Sequence, residues 1–131
     1  MSGVKLTDIV EKMNLKNLTP EVDITEREVL VPDVNRPALQ LAGFFDHFDL
    51  NRVQIIGNVE CAYLETLAEE KRVEIYQKLL EHKVPCIIFS NELQPDESFI
   101  EIAQKNDIPV FGTCKKTSSF MGELIRWLNV K

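Results

Sequence analysis

Apolar residues switch spacing over the first fifty positions, then settle into a regular alternation from Val53 onward. Leu6, Ile9, Val10 and Met13 recur at i, i+3, i+4 and i+7, one face of a helical period, which predicts a short helix over Leu6–Met13. Thr7 or Asp8 can cap its start. Asn14 to Pro20 is polar and ends in proline, so a loop is expected there. Val22-Asp23-Ile24 and Val29-Leu30-Val31 have the composition of short strands, the second stopped by Pro32 and Asp33. Pro37 suits the first turn of a helix continued by Ala38, Leu39, Leu41 and Ala42, with Gly43 as its end. Phe44, Phe45 and Phe48 make an aromatic knot suited to core packing, with ligand stacking as the alternative.

The regular part opens with a strand, Val53-Gln54-Ile55-Ile56, closed by Gly57. Helices are expected over Glu60–Leu67 and Glu69–His82, the longer one burying Val73, Tyr76, Leu79 and Leu80. Glu74 and Lys78 stand there at i, i+4 in the favourable order. Cys86-Ile87-Ile88-Phe89 is a continuous apolar run, as in a strand covered on both faces. Asp96 is placed to cap a helix that buries Phe99, Ile102 and Ala103. Pro109-Val110-Phe111 is a further strand closed by Gly112. Thr117 or Ser118 can cap a last helix whose buried face is Phe120, Met121, Leu124, Ile125 and Leu128, with Trp127 at its flank. This strand–helix alternation predicts an α/β fold, a three-layer sandwich around a mostly parallel sheet.

The length of 131 residues fits one domain over 1–131. The formal charge of −6 is spread evenly: residues 1–52 carry 6 basic and 9 acidic side chains, residues 53–131 carry 9 and 12. Without a basic stripe a nucleic-acid partner is not expected. No apolar run has the length of a membrane span or a signal peptide, so no membrane partner is expected either. Cys61, Cys86 and Cys114 are odd in number and lack a CxxC spacing. That pattern fits neither a disulfide framework nor a zinc site, and agrees with a reducing, cytoplasmic setting.

In a parallel sheet, ligands sit at the carboxyl ends of the strands. Those ends here offer Gly57-Asn58, Ser90-Asn91 and Gly112-Thr113, followed by Lys115. Asn58, Ser90, Asn91, Thr113 and Lys115 are therefore candidate ligand-site residues, although the same residue types also simply turn a chain after a strand. A phosphate loop needs GxxxxGK followed by Ser or Thr. Gly112-Thr-Cys-Lys-Lys-Thr117 is the nearest approach and lacks the second glycine, leaving at most weak anion binding at a helix start. The strand ends carry no aspartate, which rules out a phosphoacceptor receiver domain, and a GxGxxG fingerprint is absent. Cys61 lies near a helix start, where its pKa can fall, and Cys114 follows a strand end, but neither has a histidine nearby in sequence. Buried structural cysteine is the competing reading for Cys61 and the reading for Cys86. His47 lies between Asp46 and Asp49, which favours its charged form if they are close. His82 suits the end of its helix. Arg36 and Arg52 are read as structural, paired with acids such as Asp33, Asp46 or Asp49. No residue is assigned a catalytic, metal or cofactor role.

The stretch NRPALQLAGFFDHF, the following NRVQIIG, then NVECAYLETL, VPCIIFS and IPVFGTCKKTSSFMGELIRWL resemble, in order and spacing, the amino-terminal domain of bacterial HPr kinase/phosphorylase. The residues that carry the motif are Arg36, Pro37, Leu39, Ala42, Gly43, Phe45, Arg52, Gln54 and Gly57. The resemblance implies a three-layer α/β domain similar to the first domain of the Mur ligases. It implies a parent about twice as long, whose second domain binds ATP and magnesium and phosphorylates or dephosphorylates a serine of HPr, the phosphocarrier of the sugar phosphotransferase system. The family's catalytic residues lie in that second domain, and none maps onto this chain. The chain alone is accordingly expected to be inactive, with a regulatory or structural role in carbon catabolite repression. A stand-alone small-ligand sensor using the polar strand ends, and a small thiol or hydrolytic enzyme using Cys114 or Cys61, are the competing functions. The abrupt end at Val130-Lys131 fits a natural terminus or a boundary inside a longer protein.

Overall fold

Every residue of the central strand β5 (Val53–Ile56) is buried, Gln54 included. The computed structural model describes residues 3–46 and 48–130. β5 lies in a five-stranded sheet of order β2-β7-β6-β5-β4, with β2 (Lys16–Asn17), β4 (Val34–Asn35), β6 (Ile87–Phe89) and β7 (Val110–Gly112). β4, β5, β6 and β7 run parallel, and β2 closes the far edge antiparallel to β7. β1 (Val4–Lys5) and β3 (Glu28–Val29) form a separate antiparallel ribbon.

The pleat sends alternate side chains to opposite faces. Ile56, Ile87, Phe89 and Val110 pack with Leu41, Leu64, Leu79 and Phe99 from α2 (Ala38–Leu41), α3 (Asn58–Glu65), α4 (Glu69–Leu80) and α5 (Glu97–Lys105). Val53, Ile55, Ile88 and Phe111 face the other way, onto Ile9 and Met13 of α1 (Leu6–Met13) and Phe120, Leu124 and Leu128 of α6 (Thr117–Val130). The result is the three-layer sandwich expected from the alternation. From β4 to β7 each strand lies beside its predecessor, with the intervening helices on one face. After β7 the chain crosses the carboxyl edge of the sheet, and α6 covers the opposite face. That crossing sets the start of α6 against the ends of β5 and β6.

Several local expectations change. Lys5, rather than Thr7 or Asp8, precedes α1, and no side chain caps it. The expected loop at Asn14–Pro20 contains β2, because Lys16 and Asn17 register with Gly112 and Phe111 at a sheet edge; such pairing leaves no trace in a two-residue pattern. Val22–Ile24 is not a strand: Asp23 Oδ1 accepts the Thr25 N–H (3.0 Å) and hydroxyl (2.7 Å), which favours a turn. The second predicted strand begins one residue early, at Glu28, and stops at Val29. Pro37 sits just before α2 rather than inside its first turn. Glu74 pairs with Lys71 at 4.0 Å, not with Lys78. Asp96 stands at the start of α5, but its carboxylate accepts from Arg72 Nε (3.1 Å) and the Tyr76 hydroxyl (2.6 Å) instead of capping. Thr117 is the first residue of α6, not the cap before it.

Candidate functional site

Glu60 is the residue around which the carboxyl edge of the sheet is built. It occupies the third position of α3 and is only 2% exposed. Its Oε1 accepts the Gly57 N–H at 2.9 Å and its two oxygens receive Arg36 Nη2 (2.5 Å) and Nε (2.9 Å). A carboxylate at that position satisfies a free amide of the helix start, and Gly57, lacking a side chain, returns no bond. The bidentate pair with Arg36 supplies the charge compensation that burial demands. Arg36 reaches this point because it directly follows β4, the parallel neighbour of β5.

Gly57 is required here by close approach. A Cβ on it would lie 2.7 Å from Thr117 Oγ1 and 2.9 Å from Arg36 Nη2. Thr117 Oγ1 in turn contacts Ser90 Oγ at 2.5 Å and accepts from Asn91 Nδ2 at 2.9 Å. Ser90 Oγ also lies 3.3 Å from Ile56 O, so hydrogen bonds tie the ends of β5 and β6 to the start of α6, beside the Arg36–Glu60 pair at the end of β4. Asn91 and Glu92 are both left-handed, each with φ 57°. They are held there by N–H bonds to Lys115 O (2.8 Å) and Thr113 O (2.9 Å), which offset the strain of the conformation.

Above this network lies an open groove of about 620 Å³, lined by Arg36, Asn58, Asn91, Lys116 and Thr117 among others. Of the candidate ligand residues, Asn58 and Asn91 face it. Ser90 is buried and turned toward Thr117. Thr113 is nearly buried and lines a different pocket, of about 230 Å³, with Lys16, Glu92 and Cys114. Lys115 is tied to Glu123 Oε2 at 2.6 Å. That bond, reinforced by the nearby Lys115, Arg126 and Lys12 charges, holds the Glu123 carboxyl below the usual range. The five candidates therefore divide between sites rather than forming one. Lys116 entered the sequence reading only within the Gly112–Thr117 stretch, as weak anion binding at a helix start, and Glu60 escaped it, although a glutamate three residues after Gly57 was a readable capping signal.

The motif residues have structural places. Gly43 has φ +100°, the region that favours glycine. Phe45 stacks on the His82 ring, centroids 4.8 Å apart, and Phe48 meets the same ring edge-on at 5.2 Å. Arg52 pairs with Asp33 at 3.2 Å, as expected, whereas Arg36 chooses Glu60 over any of the three acids named. Gln54, fully buried, accepts from Asn35 Nδ2 (2.7 Å) and donates to Asp49 O and Arg52 O. Leu39 stays exposed, and Ala42 ends α2. The reading of His47 lies outside the described residues.

A smaller cavity of about 180 Å³ between α3, α4 and α5 is lined by Cys61, Arg72, Tyr76 and Asp96. Here the helix-start expectation for Cys61 reverses. Burial, with the Glu60, Glu65 and Asp96 carboxylates adding to it, pushes this thiol up to about 11. A thiol so protonated is a poor nucleophile. Burial and the bond to Asp96 push the Tyr76 hydroxyl up as well. Cys86, expected to open a strand, lies just before β6 and is fully buried, and Cys114 is exposed.

The family model for the HPr serine kinase N terminus matches residues 4–128. An HPr kinase/phosphorylase of Lachnoclostridium phytofermentans is 53% identical over 131 residues, covering 100% of this chain and 42% of its own length. One of Caldicellulosiruptor bescii is 40% identical over 120 residues, covering 92% of this chain and 39% of its own. The chain therefore spans about two-fifths of the length of these curated relatives. A crystal structure of the CBS and DRTGG domains of the regulatory region of Clostridium perfringens pyrophosphatase, complexed with the activator diadenosine tetraphosphate, superposes with a TM-score of 0.64. It covers 95% of this chain and 47% of that one at 21% identity, which establishes a shared fold. Among the described residues no helix is long and apolar enough to cross a membrane.

Proposed function

Because the chain belongs to the HPr serine kinase N-terminal family, we propose that it is a single, non-catalytic α/β domain of a bifunctional HPr serine kinase/phosphorylase. In this reading it serves regulation or assembly in carbon catabolite control, in the cytoplasm. A second domain of the parent supplies phosphoryl transfer, with ATP and magnesium, and HPr is met through that parent. The observation that carries the non-catalytic part is the network at the strand ends. Glu60 is committed to Arg36 and Gly57, and Thr117 to Ser90 and Asn91. Groups bonded to one another in this way are not arranged as a base beside a nucleophile, and Cys61 is held protonated.

Two measurements test the proposal. The chain incubated with HPr, ATP and magnesium is expected to transfer no phosphate. A full-length parent lacking these residues is expected to retain transfer to HPr within about tenfold, a barrier change of about 1.4 kcal/mol, while its response to effectors or its assembly changes. Transfer by the chain alone, or complete loss of transfer in a folded truncated parent, overturns it.

A small-ligand-sensing role is the second reading. Its support is that Asn58 and Asn91 open on the same groove as Lys116, which makes no ion pair among the described residues. Titration with inorganic phosphate, a sugar phosphate or a nucleotide should then shift the amides of Asn58, Asn91 and Thr117. Unmoved amides with all three remove this reading.

A further inference from the structure

The cavity of about 180 Å³ between α3, α4 and α5 shares no lining residue with the groove at the strand ends. Its inner wall is aromatic. Tyr76, Phe89 and Phe99 are buried, and Phe99 meets the other two rings edge-on, with centroids 5.1 and 5.2 Å apart. An apolar cavity of about 150 Å³ holds a benzene molecule, so this one has room for a single ring with a short substituent. Apolar walls with a few polar groups on one side are the usual make-up of a small-molecule site.

The polar side of the cavity has most of its donors committed. Arg72 Nε and the Tyr76 hydroxyl both donate to Asp96 Oδ2, at 3.1 and 2.6 Å, and Arg72 Nη1 donates to Leu67 O at 2.8 Å. Acceptors are left over. Asp96 makes no capping bond to α5, so its Oδ1 accepts no hydrogen bond among the described residues. Glu65 forms no ion pair among them, and Gln94 can serve as donor or acceptor. Glu65 and Asp96 against Arg72 give the lining one net negative charge. The Cys61 thiol in the cavity wall feels it: burial first, then the Glu60, Glu65 and Asp96 carboxylates, raise its pKa. An anionic ligand is repelled by that field, and a neutral one gains only the rings. An ammonium group on a ring uses both sides, setting its apolar body against the aromatic wall and charge-assisted bonds on the free carboxylate oxygens.

We propose that this cavity binds a small primary amine carried on a single apolar ring, with the ring against Phe89 and Phe99 and the ammonium donating to Glu65 and Asp96. The site requires nothing of the strand-end groove or of the parent's kinase chemistry. The test titrates isotope-labelled chain at neutral pH with three probes of one shape and different charge: benzylamine, benzyl alcohol and benzoate. Benzylamine is expected to shift amides in 61–65, 72–76 and 94–99 and to bind at least about tenfold more tightly than benzoate, with benzyl alcohol between them and the spread shrinking in high salt. Glu65→Gln, a change at an exposed side chain, should weaken benzylamine about fivefold and leave benzyl alcohol as it was. Cys61→Leu places a larger side chain in the cavity and should abolish binding of both. Benzoate binding as tightly as benzylamine, no binding of benzylamine, shifts centred elsewhere, equal losses for both probes in Glu65→Gln, or undiminished binding to a folded Cys61→Leu variant overturns the proposal.

Discussion

Replacing Arg36 with alanine should destabilise this protein more than replacing Glu60, although the two share one ion pair. The reason is their unequal burial. The Glu60 side chain is 2% exposed and that of Arg36 is 32% exposed. Without Arg36, the carboxylate keeps only the Gly57 N–H and loses its charge compensation. Breaking a buried pair in this sense costs 3–5 kcal/mol in general, and the partial exposure of the guanidinium puts Arg36→Ala near the lower end, about 3 kcal/mol. Without Glu60, the guanidinium can turn into the open groove and hydrate. What is lost is one capping bond, about 1 kcal/mol, and a partly screened attraction of about the same size, so Glu60→Ala should cost about 2 kcal/mol. The double variant removes the orphaned carboxylate and should cost well under the sum, with a coupling of about 1.5 kcal/mol or more. Urea unfolding of the four proteins measures all three quantities, provided the slope m is unchanged. A larger loss for Glu60→Ala than for Arg36→Ala, or a coupling below about 0.5 kcal/mol, refutes the reasoning, because neighbours in one buried pair cannot be additive.

Two glycines should respond differently to alanine. Gly57→Ala drives a Cβ against Thr117 and Arg36 and should cost about 2 kcal/mol by overpacking. At Gly43 nothing lies within 4 Å of the added atom, so its cost, about 1 kcal/mol, comes from the backbone alone; equal losses would contradict the crowding at Gly57. Iodoacetamide at pH 8 should modify exposed Cys114 first. With its thiol up at about 11, Cys61 should be roughly two hundred-fold slower than an ordinary thiol of pKa about 8.5, gaining about tenfold per pH unit toward 11; fast, pH-independent labelling counts against its burial. Burial pushes Cys86 up to about 12 from 9.0. Above pH 9 the unfolded chain loses this proton and the folded chain keeps it, so stability should fall by up to about 1.4 kcal/mol per unit between pH 9 and 12. A Cys86→Ala variant should lose part of that slope, and an unchanged slope assigns it elsewhere.

The fold class and the longer elements were legible in the sequence because they depend on periodicity. The helix Leu6–Met13 and the strand Val53–Ile56 appear at the predicted residues. Helices α3 to α6 fall within a few residues of expectation, since an apolar stripe or run must be buried whatever its neighbours are. The core role of Cys86 followed from the same rule. The two-residue strands β2 and β4 exist only because β7 and β5 offer them a free edge, and two residues have no period to read. The site was legible in location but not in membership. The strand ends pointed to Asn58, Ser90, Asn91, Thr113 and Lys115, yet tertiary packing sends Ser90 inward, ties Lys115 to Glu123, and puts Thr113 in another pocket. The partner of Arg36 was likewise undecided by sequence. Asp33 and Asp46 are nearer along the chain, but the parallel pairing of β4 with β5 carries Arg36 to the start of α3, where Glu60 is buried. Periodic burial is a local property and can be read from the chain. Which charge meets which across a sheet edge depends on strand order, and only the folded structure decides it.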